Sequence, residues 1–477
     1  MNVAIGGHWK RDEARRDGGV GTSASTITST SASLTPGSAA SAQPGTASDS
    51  RLSGSATTAL ALPAPGTRDT SGLFARGGRF GALTYSDFRL AFFGQCISAI
   101  GSWMQMVTLG WLVYDLTGSS FYLGLVGLAR AIPALIFTLV GGAAADRYNR
   151  RMIVGIANAV VTICAFILGI LCLTHTVSVW HIIAIAFITG TAFAFEVPSR
   201  QALISSIVDA KDVAGALGLM AVAFNTAQIA GPALAAVLIE VIGEGPVFIL
   251  NGFAYSAVVL AAVMMRVQGR PSARGSGSIL GNVMDGLRYI RRTPELCWLV
   301  ASMAVLSFLA RPFTQLTPAF ARDVLDVGAA GLGALNSAAG AGALAGAVLA
   351  AMLGSYRGRG LALMLSAAGF GALLVAFGLS TSFMLSLVLS GAIGLLSAFS
   401  GINTNTMMQT HADARMRGRV ISLHGLTMMG VVPLGVMLEG ALGSLIGVPM
   451  IVIAAGALSV LVMVFTIVAA PKVRAMA

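Results

Sequence analysis

Ser120–Arg151 reads SFYLGLVGLARAIPALIFTLVGGAAADRYNRR. Residues 120–144 carry a single charge, Arg130. At about 1.5 Å per residue they are long enough to cross, as a helix, a hydrocarbon core about 30 Å thick. The next seven residues change character at once, with Asp146, Arg147, Arg150 and Arg151 crowded into one polar turn before another apolar run begins. An apolar span, a tight basic turn and a second span describe a polytopic membrane protein, because arginine and lysine in short loops hold those loops on the cytoplasmic side.

Working outward, the pattern recurs. Apolar segments lie at 88–113, 120–144, 151–173, 179–199, 214–240, 246–266, 296–320, 329–353, 361–380, 383–407, 419–443 and 447–470. Twelve spans place both termini on one side. With that side inside, the inward segments collect 27 of the 30 lysines and arginines, leaving Arg130, Arg311 and Arg322. The N- and C-termini are therefore expected in the cytoplasm, and the expected location is a bacterial inner (plasma) membrane. Composition agrees: the 477 residues are 56% hydrophobic and 10% charged, whereas soluble domains carry about 25% charged residues.

Several function classes fall away. The net charge of +11 does not point to nucleic acid, since the basic residues sit in short loops without interleaved aromatics. Lys10, Lys211 and Lys472 stand in no phosphate-cradling Gly-Lys-Ser/Thr setting, which excludes an ATP-driven pump on this chain. The five histidines, His8, His175, His181, His411 and His424, form no HExxH pair, so an enzyme is not expected. Cys96, Cys164, Cys172 and Cys297 lie in or beside apolar runs with no CxxC pair and read as small buried hydrophobes. No cofactor or metal is expected; the expected partners are a small-molecule substrate and the lipid bilayer, and the expected state is a monomer.

The chain divides into a Ser/Thr/Ala/Gly/Pro-rich tail at 1–84, expected to be disordered and cytoplasmic, a six-helix bundle at 85–266, a cytoplasmic loop at 267–295, a second six-helix bundle at 296–471 and a short tail at 472–477. The central loop contains SILGNVMDGLRYIRRTPEL, an amphipathic helix with a basic face expected to lie at the membrane surface. The halves echo each other: Asp209-Ala210-Lys211 precedes span five as Asp413-Ala414-Arg415 precedes span eleven, and Gly231-Pro232 is matched by Pro433 with Gly435. The fold class is an all-α membrane protein, twelve transmembrane helices in two pseudo-symmetric bundles around a central cavity, an architecture of secondary transporters.

Gly141-Gly142-Ala143-Ala144-Ala145-Asp146-Arg147-Tyr148-Asn149-Arg150-Arg151 resembles the G-x-x-x-D-R-x-x-R-R signature of the major facilitator superfamily. In physical terms the glycines allow close helix approach, Asp146 is available to the arginines, and the basic cluster sits at headgroup depth. Pro198-Ser199-Arg200-Gln201-Ala202-Leu203-Ile204 and Arg417-Gly418-Arg419-Val420 are similar to the enterobactin exporter-like, or transmembrane secretion effector, branch. The resemblance implies export of a siderophore or drug-like molecule by alternating access, driven by proton antiport. The alternatives are a general multidrug efflux pump with no siderophore role, or a non-transporting or lipid-handling protein on the same fold. One departure is Gly231-Pro232-Ala233-Leu234-Ala235-Ala236, where antiporters of the superfamily often carry G-P-x-x-G-G.

Charged residues inside spans are costly, about 2.5–3.5 kcal/mol for a central arginine on insertion scales, and so point to function. Arg130 and Arg311 are expected to face the central cleft and bind an anionic substrate; the plainer alternative is that each caps carbonyls at a helix break made by Pro133 or Pro312. Gln105, Gln228, Gln315 and Asn403 are expected to add polar lining, and Trp103, Trp111 and Phe308 to stack on an aromatic substrate or simply to pack. For proton coupling, Asp115, Glu240 and Glu439 fall near outer span ends and Glu196 near an inner one, and no carboxylate reaches midplane; the coupling group is left open, with His424 in span eleven either a candidate or simply a packed, hydrogen-bonded histidine. Glu196 is expected to latch onto Arg150 or Arg151 across the cytoplasmic face, closing the inner gate when the protein faces outward. With these, Gly142, Asp146, Arg147, Gly231, Pro232, Arg417, Gly418 and Arg419 make up the expected gating motifs.

Overall fold

In a bilayer every backbone N–H and C=O must find its partner within the segment, so apolar runs of this length fold as helices. The computed structural model bears this out. It describes residues 80–267, 279–354, 356–413, 416–474 and 476, with the side chains of 279–283, 422, 424, 426 and 428 outside the description. The expectation for the tail up to residue 79 lies outside the described residues.

After a short 3-10 turn (Gly81–Thr84), the first half consists of α1 (Ser86–Thr117), α2 (Ser120–Arg147), α3 (Arg150–Leu173), α4 (Val179–Ile207), α5 (Val213–Ile242) and α6 (Glu244–Met264). A linker helix, α7 (Ile279–Arg292), leads to α8 (Pro294–Leu309), α9 (Phe313–Asp323), α10 (Ala329–Leu353), α11 (Arg359–Leu379), α12 (Phe383–His411), α13 (Arg417–Ile446), α14 (Val448–Ala469) and the short α15 (Pro471–Arg474). Among the described residues twelve helical segments are long and apolar enough to span, α8 and α9 counting together as the seventh. Several run past the expected ends, α4 to Ile207 and α12 to His411. Hydropathy marks only the lipid-facing stretch, and a helix continues into the polar region as long as its backbone bonds do.

Proline treats the spans unequally. Pro133, Pro198, Pro232, Pro318 and Pro433 all lie inside continuous helices. Only at Ala310-Arg311-Pro312 does the chain stop and restart: the amides of Ala310 and Arg311 both turn back to the Leu306 carbonyl, and Gln315 donates to Pro312. Pro312 then becomes the N-cap of α9, where its missing N–H costs nothing.

The two halves pack by the same plan. In the first, α2 lies along α4 and α3 along α6; in the second, α10 lies along α12 and α11 along α14. The halves meet along α2–α13 and α5–α10. In lipid there is little hydrophobic drive between helices, so close backbone contact must hold them. At α10–α12, Gly342 and Gly346 abut the carbonyls of Gly391 and Leu395, and Gly394 abuts that of Ala339; at α2–α4, Gly190 abuts the Arg130 carbonyl. Outward-facing apolar side chains such as Ile136, Val241, Met352 and Leu445, exposed by 60, 73, 80 and 79%, form a belt that only lipid can cover.

The amphipathic linker helix packs against the second bundle. α7 packs on α13, burying Ile290 in a cluster with Leu296, Leu299 and Met407. Asp285 pairs with Arg419 at 3.0 Å, and the Asp413 amide donates to the Tyr289 hydroxyl at 3.2 Å. Ile290 is thus covered by the second bundle, while Met284, Leu287, Arg291 and Arg292 remain exposed.

Candidate transport pathway and gates

One end of the bundle carries the loops after α1, α3, α5, α9, α11 and α13. There the halves are bonded to each other. Arg322, ending α9, meets Asp115, ending α1, at 2.7 Å. The Tyr114 hydroxyl donates to the Asp323 carboxylate and Ser120 Oγ donates to the Gly440 carbonyl at 2.8 Å; deeper, in mid-span, Ser337 Oγ donates to the Ile229 carbonyl at 3.1 Å. Each bond joins the first half to the second.

At the opposite end the bonds among the described residues stay within a half. Arg150, 8% exposed, donates to the carbonyls of Ala145 at 3.0 Å and Ala202 at 3.3 Å, tying the last turn of α2 to α4. Arg151 donates to the Met265 carbonyl beyond α6, and Asp87 accepts from the Val267 amide at 2.7 Å. These arginines cap helix C-termini, where free carbonyls and the helix dipole favour a cation. They do not pair with Asp146, which is exposed and, like Arg147, has no hydrogen bond or ion pair among the described residues. Nor do they take Glu196, which pairs with Arg200 on its own helix at 2.7 Å; a partner one turn away is reached more cheaply than one across a loop. Gly142 and Gly418 face open space. Arg417 is exposed, and Arg419 holds α7. Gly231 sits against Trp103 and the Ile100 carbonyl, and the Pro232 carbonyl against Gly333, so the Gly-Pro pair marks where α5 is squeezed between α1 and α10.

The six expected lining residues separate. Arg130 is exposed although it lies on the opposite side of α2 from the lipid-facing stripe Ile132, Ile136 and Leu139. Its guanidinium rests over the Phe193 ring on α4, 5.5 Å from the centroid. Pro133 makes no break beneath it. Arg311 does sit at a helix break, and its side chain enters a cavity of about 40 Å³ bounded by α8, α11, α12 and α14, all of the second half, rather than the cleft between halves. Gln315 is exposed and Gln228 half-buried. Gln105 accepts from Asn251 Nδ2 on α6, while Asn403 donates to the Phe399 carbonyl at 2.9 Å and receives Tyr356 Oη at 3.4 Å. No hydrogen bond or ion pair joins any two of the six. Trp103 packs edge-on against Phe224. The His424 side chain lies outside the described residues.

Two features escaped the sequence reading. Tyr114-Asp115 and Arg322-Asp323 occupy equivalent ends of spans one and seven and bond to each other; superposing the halves at their repeat spacing brings the two pairs together, and that signal was present. Glu439, near the end of its span, is 5% exposed and its Oε1 has no partner among the described residues. It follows by one turn Gly435, which abuts Phe308 and Pro312, so it faces the broken seventh span. No sequence pattern distinguishes it from Glu240, which is exposed.

Two helical bundles of the same packing plan, ringed by an apolar belt and bonded to each other near one end, have the architecture of a multi-pass membrane transporter. Residues 78–477 match the family model described as transmembrane secretion effector, and the chain belongs to that family, within the major facilitator superfamily. Its relatives include the multidrug efflux pump Tap of Mycolicibacterium fortuitum, 25% identical over 75% of this chain and 89% of that protein. Macrolide efflux protein A of Streptococcus pyogenes is 24% identical over 76% and 92%, and the staphyloferrin A transporter of Staphylococcus aureus (strain NCTC 8325 / PS 47) 24% over 73% and 87%. Among solved structures, the nucleoside transporter NupG shares the fold at TM-score 0.66 and 12% identity, over 80% of this chain and 98% of that one. A bacterial homologue of the lysosomal transporter Spinster, in an inward-facing conformation, does so at 0.61 and 15%, over 81% and 95%.

Proposed function

We propose that this protein exports a small organic molecule across the bacterial inner membrane by alternating access, with its termini in the cytoplasm and proton entry as the driving force. The observation that carries this reading is the one-ended bonding of the halves. Arg322–Asp115, Tyr114–Asp323 and Ser120–Gly440 join them at one end, while Arg150, Arg151 and Glu196 at the other are committed within their own half. In the proposed orientation this is the inward-facing state, ready to load cytoplasmic substrate. Breaking the outer bonds and forming new inner ones yields the outward-facing state.

Arg130 is the proposed electrostatic contact for an anionic substrate, since it is exposed, turned from lipid, and carries no counter-ion among the described residues. Gln315 and Gln228 add polar contacts. Export is supported by the efflux proteins among the relatives, and a siderophore or drug-like substrate by the staphyloferrin A and multidrug members. Glu439 is the proposed proton carrier: a carboxylate buried without a partner for one oxygen is stable only when protonated or newly paired, and it lies beside the span that bears the gate residues Arg322 and Asp323.

The test is an efflux assay in a deletion strain and its complement, comparing siderophore secretion with resistance to a panel of macrolides and other drugs, repeated under imposed pH gradients. Loss of secretion or resistance on deletion, restored by the wild-type chain and not by Arg130→Gln, is the expected result. Unchanged values in every arm would sink the reading in favour of a lipid-handling or non-transporting role.

A further inference from the structure

The cavity beside Arg311 is too small for a drug-like substrate. A volume of about 40 Å³ holds roughly three waters at most. What surrounds it is unusually polar for the interior of a bundle: besides Arg311 it is lined by Ser302, Ser307, Ser397, Ser400 and Thr404. No acidic residue lines it. Arg311, always protonated, makes no hydrogen bond or ion pair among the described residues; its Nη2 reaches α12 at Gly401, where a methyl group would touch it at 3.4 Å.

The hydroxyls sort by what they have left to donate. Ser302 already gives its proton to the Trp298 carbonyl at 2.6 Å and Thr404 to that of Ser400 at 2.9 Å. Ser307, fully buried, has no partner for Oγ, and Ser397 and Ser400 donate to nothing among the described residues. One guanidinium and three hydroxyls with no acceptor among the described residues therefore line the same space of one-ion size, and no described lining residue is a carboxylate. Arg311 is half-buried; a guanidinium drawn from water into protein without a counter-charge is disfavoured, and a set of donors lacking an acceptor is satisfied by an anion.

We infer that this cavity is a binding site for one small monovalent inorganic anion of chloride or nitrate size, held by Arg311, Ser307 and Ser400. The single positive charge sets the valence at one, and the volume excludes polyatomic carboxylates such as citrate. The bound ion ties the break in span seven to α12 and leaves the pocket neutral. The site is separate from the proposed substrate cleft and does not depend on the proposed substrate or on proton coupling.

The experiment uses the purified full-length protein in lipid nanodiscs, without substrate or gradient. Thermal unfolding is followed while chloride replaces gluconate at constant ionic strength. A saturable rise in Tm with chloride and with nitrate, absent with citrate and absent in Arg311→Gln, is expected. Ser307→Ala combined with Ser400→Ala should raise the half-saturating chloride concentration at least tenfold, and this variant decides the matter if Arg311→Gln does not fold. Identical curves in chloride and gluconate, or an undiminished chloride response in both variants, would overturn the assignment.

Discussion

Glu439 and Arg322 both stand near the same end of their spans, yet their surroundings give them different work. Glu439 is sealed in protein, whereas the Arg322 and Asp115 side chains remain 42 and 49% exposed. An exposed ion pair contributes only about 0–1 kcal/mol, so Asp115→Asn should shift the balance of closed and open outer gate by less than about fivefold. Tyr114, 4% exposed, donates to a carboxylate, and such bonds are worth about 1.5–3 kcal/mol. Tyr114→Phe should thus favour the open outer gate by about tenfold or more, read as a change in the distance distribution between spin labels at the outer ends of α1 and α9. For Glu439→Gln, efflux in proteoliposomes should become insensitive to an imposed pH gradient; a retained pH response would remove Glu439 from the coupling scheme. At this scale the sequence was a partial guide. Hydropathy singled out Arg130 and Arg311 because charge in an apolar run is visible in one dimension, but the direction each side chain takes is not. Gln105 and Asn403 looked like lining because they are polar, and turned out to be satisfied by Asn251 and by the helix backbone and Tyr356.

Among elements, the paired helices differ in how much change they can absorb. Gly394 lies directly against the Ala339 carbonyl, and a valine there must push α12 from α10. Overpacking of this kind typically costs about 1–3 kcal/mol, so Gly394→Val should lower the Tm of the detergent-solubilised protein and its yield in membranes, while Gly418→Ala, in open space, should do neither. The linker helix offers a milder case. Removing the Asp285–Arg419 pair by Arg419→Ala should leave the fold intact and make α7 more susceptible to added protease in inside-out vesicles. Twelve spans could be read from hydropathy alone, since each is a long one-dimensional signal. The break at Pro312 could not, because five other prolines sit in unbroken helices and the distinction rests on how neighbours receive the freed carbonyls. α7 was visible as amphipathic, but periodicity states only that one face is apolar, not whether lipid or protein covers it.

For the whole molecule, the positive-inside count commits to an arrangement that labelling can check. In a chain freed of its four cysteines, single cysteines at positions 176 and 381 should react with an impermeant maleimide in intact spheroplasts, and ones at 148 and 357 only after permeabilisation; the reverse pattern would invert the topology. The duplication was legible in short echoes such as Asp209 and Asp413, but which end of the molecule is shut is a property of the folded state and of its balance with another, and no residue pattern encodes it. The glycine seams also bear on how such a transporter can diverge. Where α10 and α12 touch backbone to backbone, nearly every base change at Gly342, Gly346 or Gly394 forces the helices apart, so these positions offer a lineage little raw material. Arg130, Gln228 and Gln315 press on no such seam with their side chains and are free to vary. New cargo should therefore be acquired by exchanging side chains along the junction of two bundles whose internal frames are inherited unchanged, and selection on an unfamiliar drug should return its gain-of-function variants there.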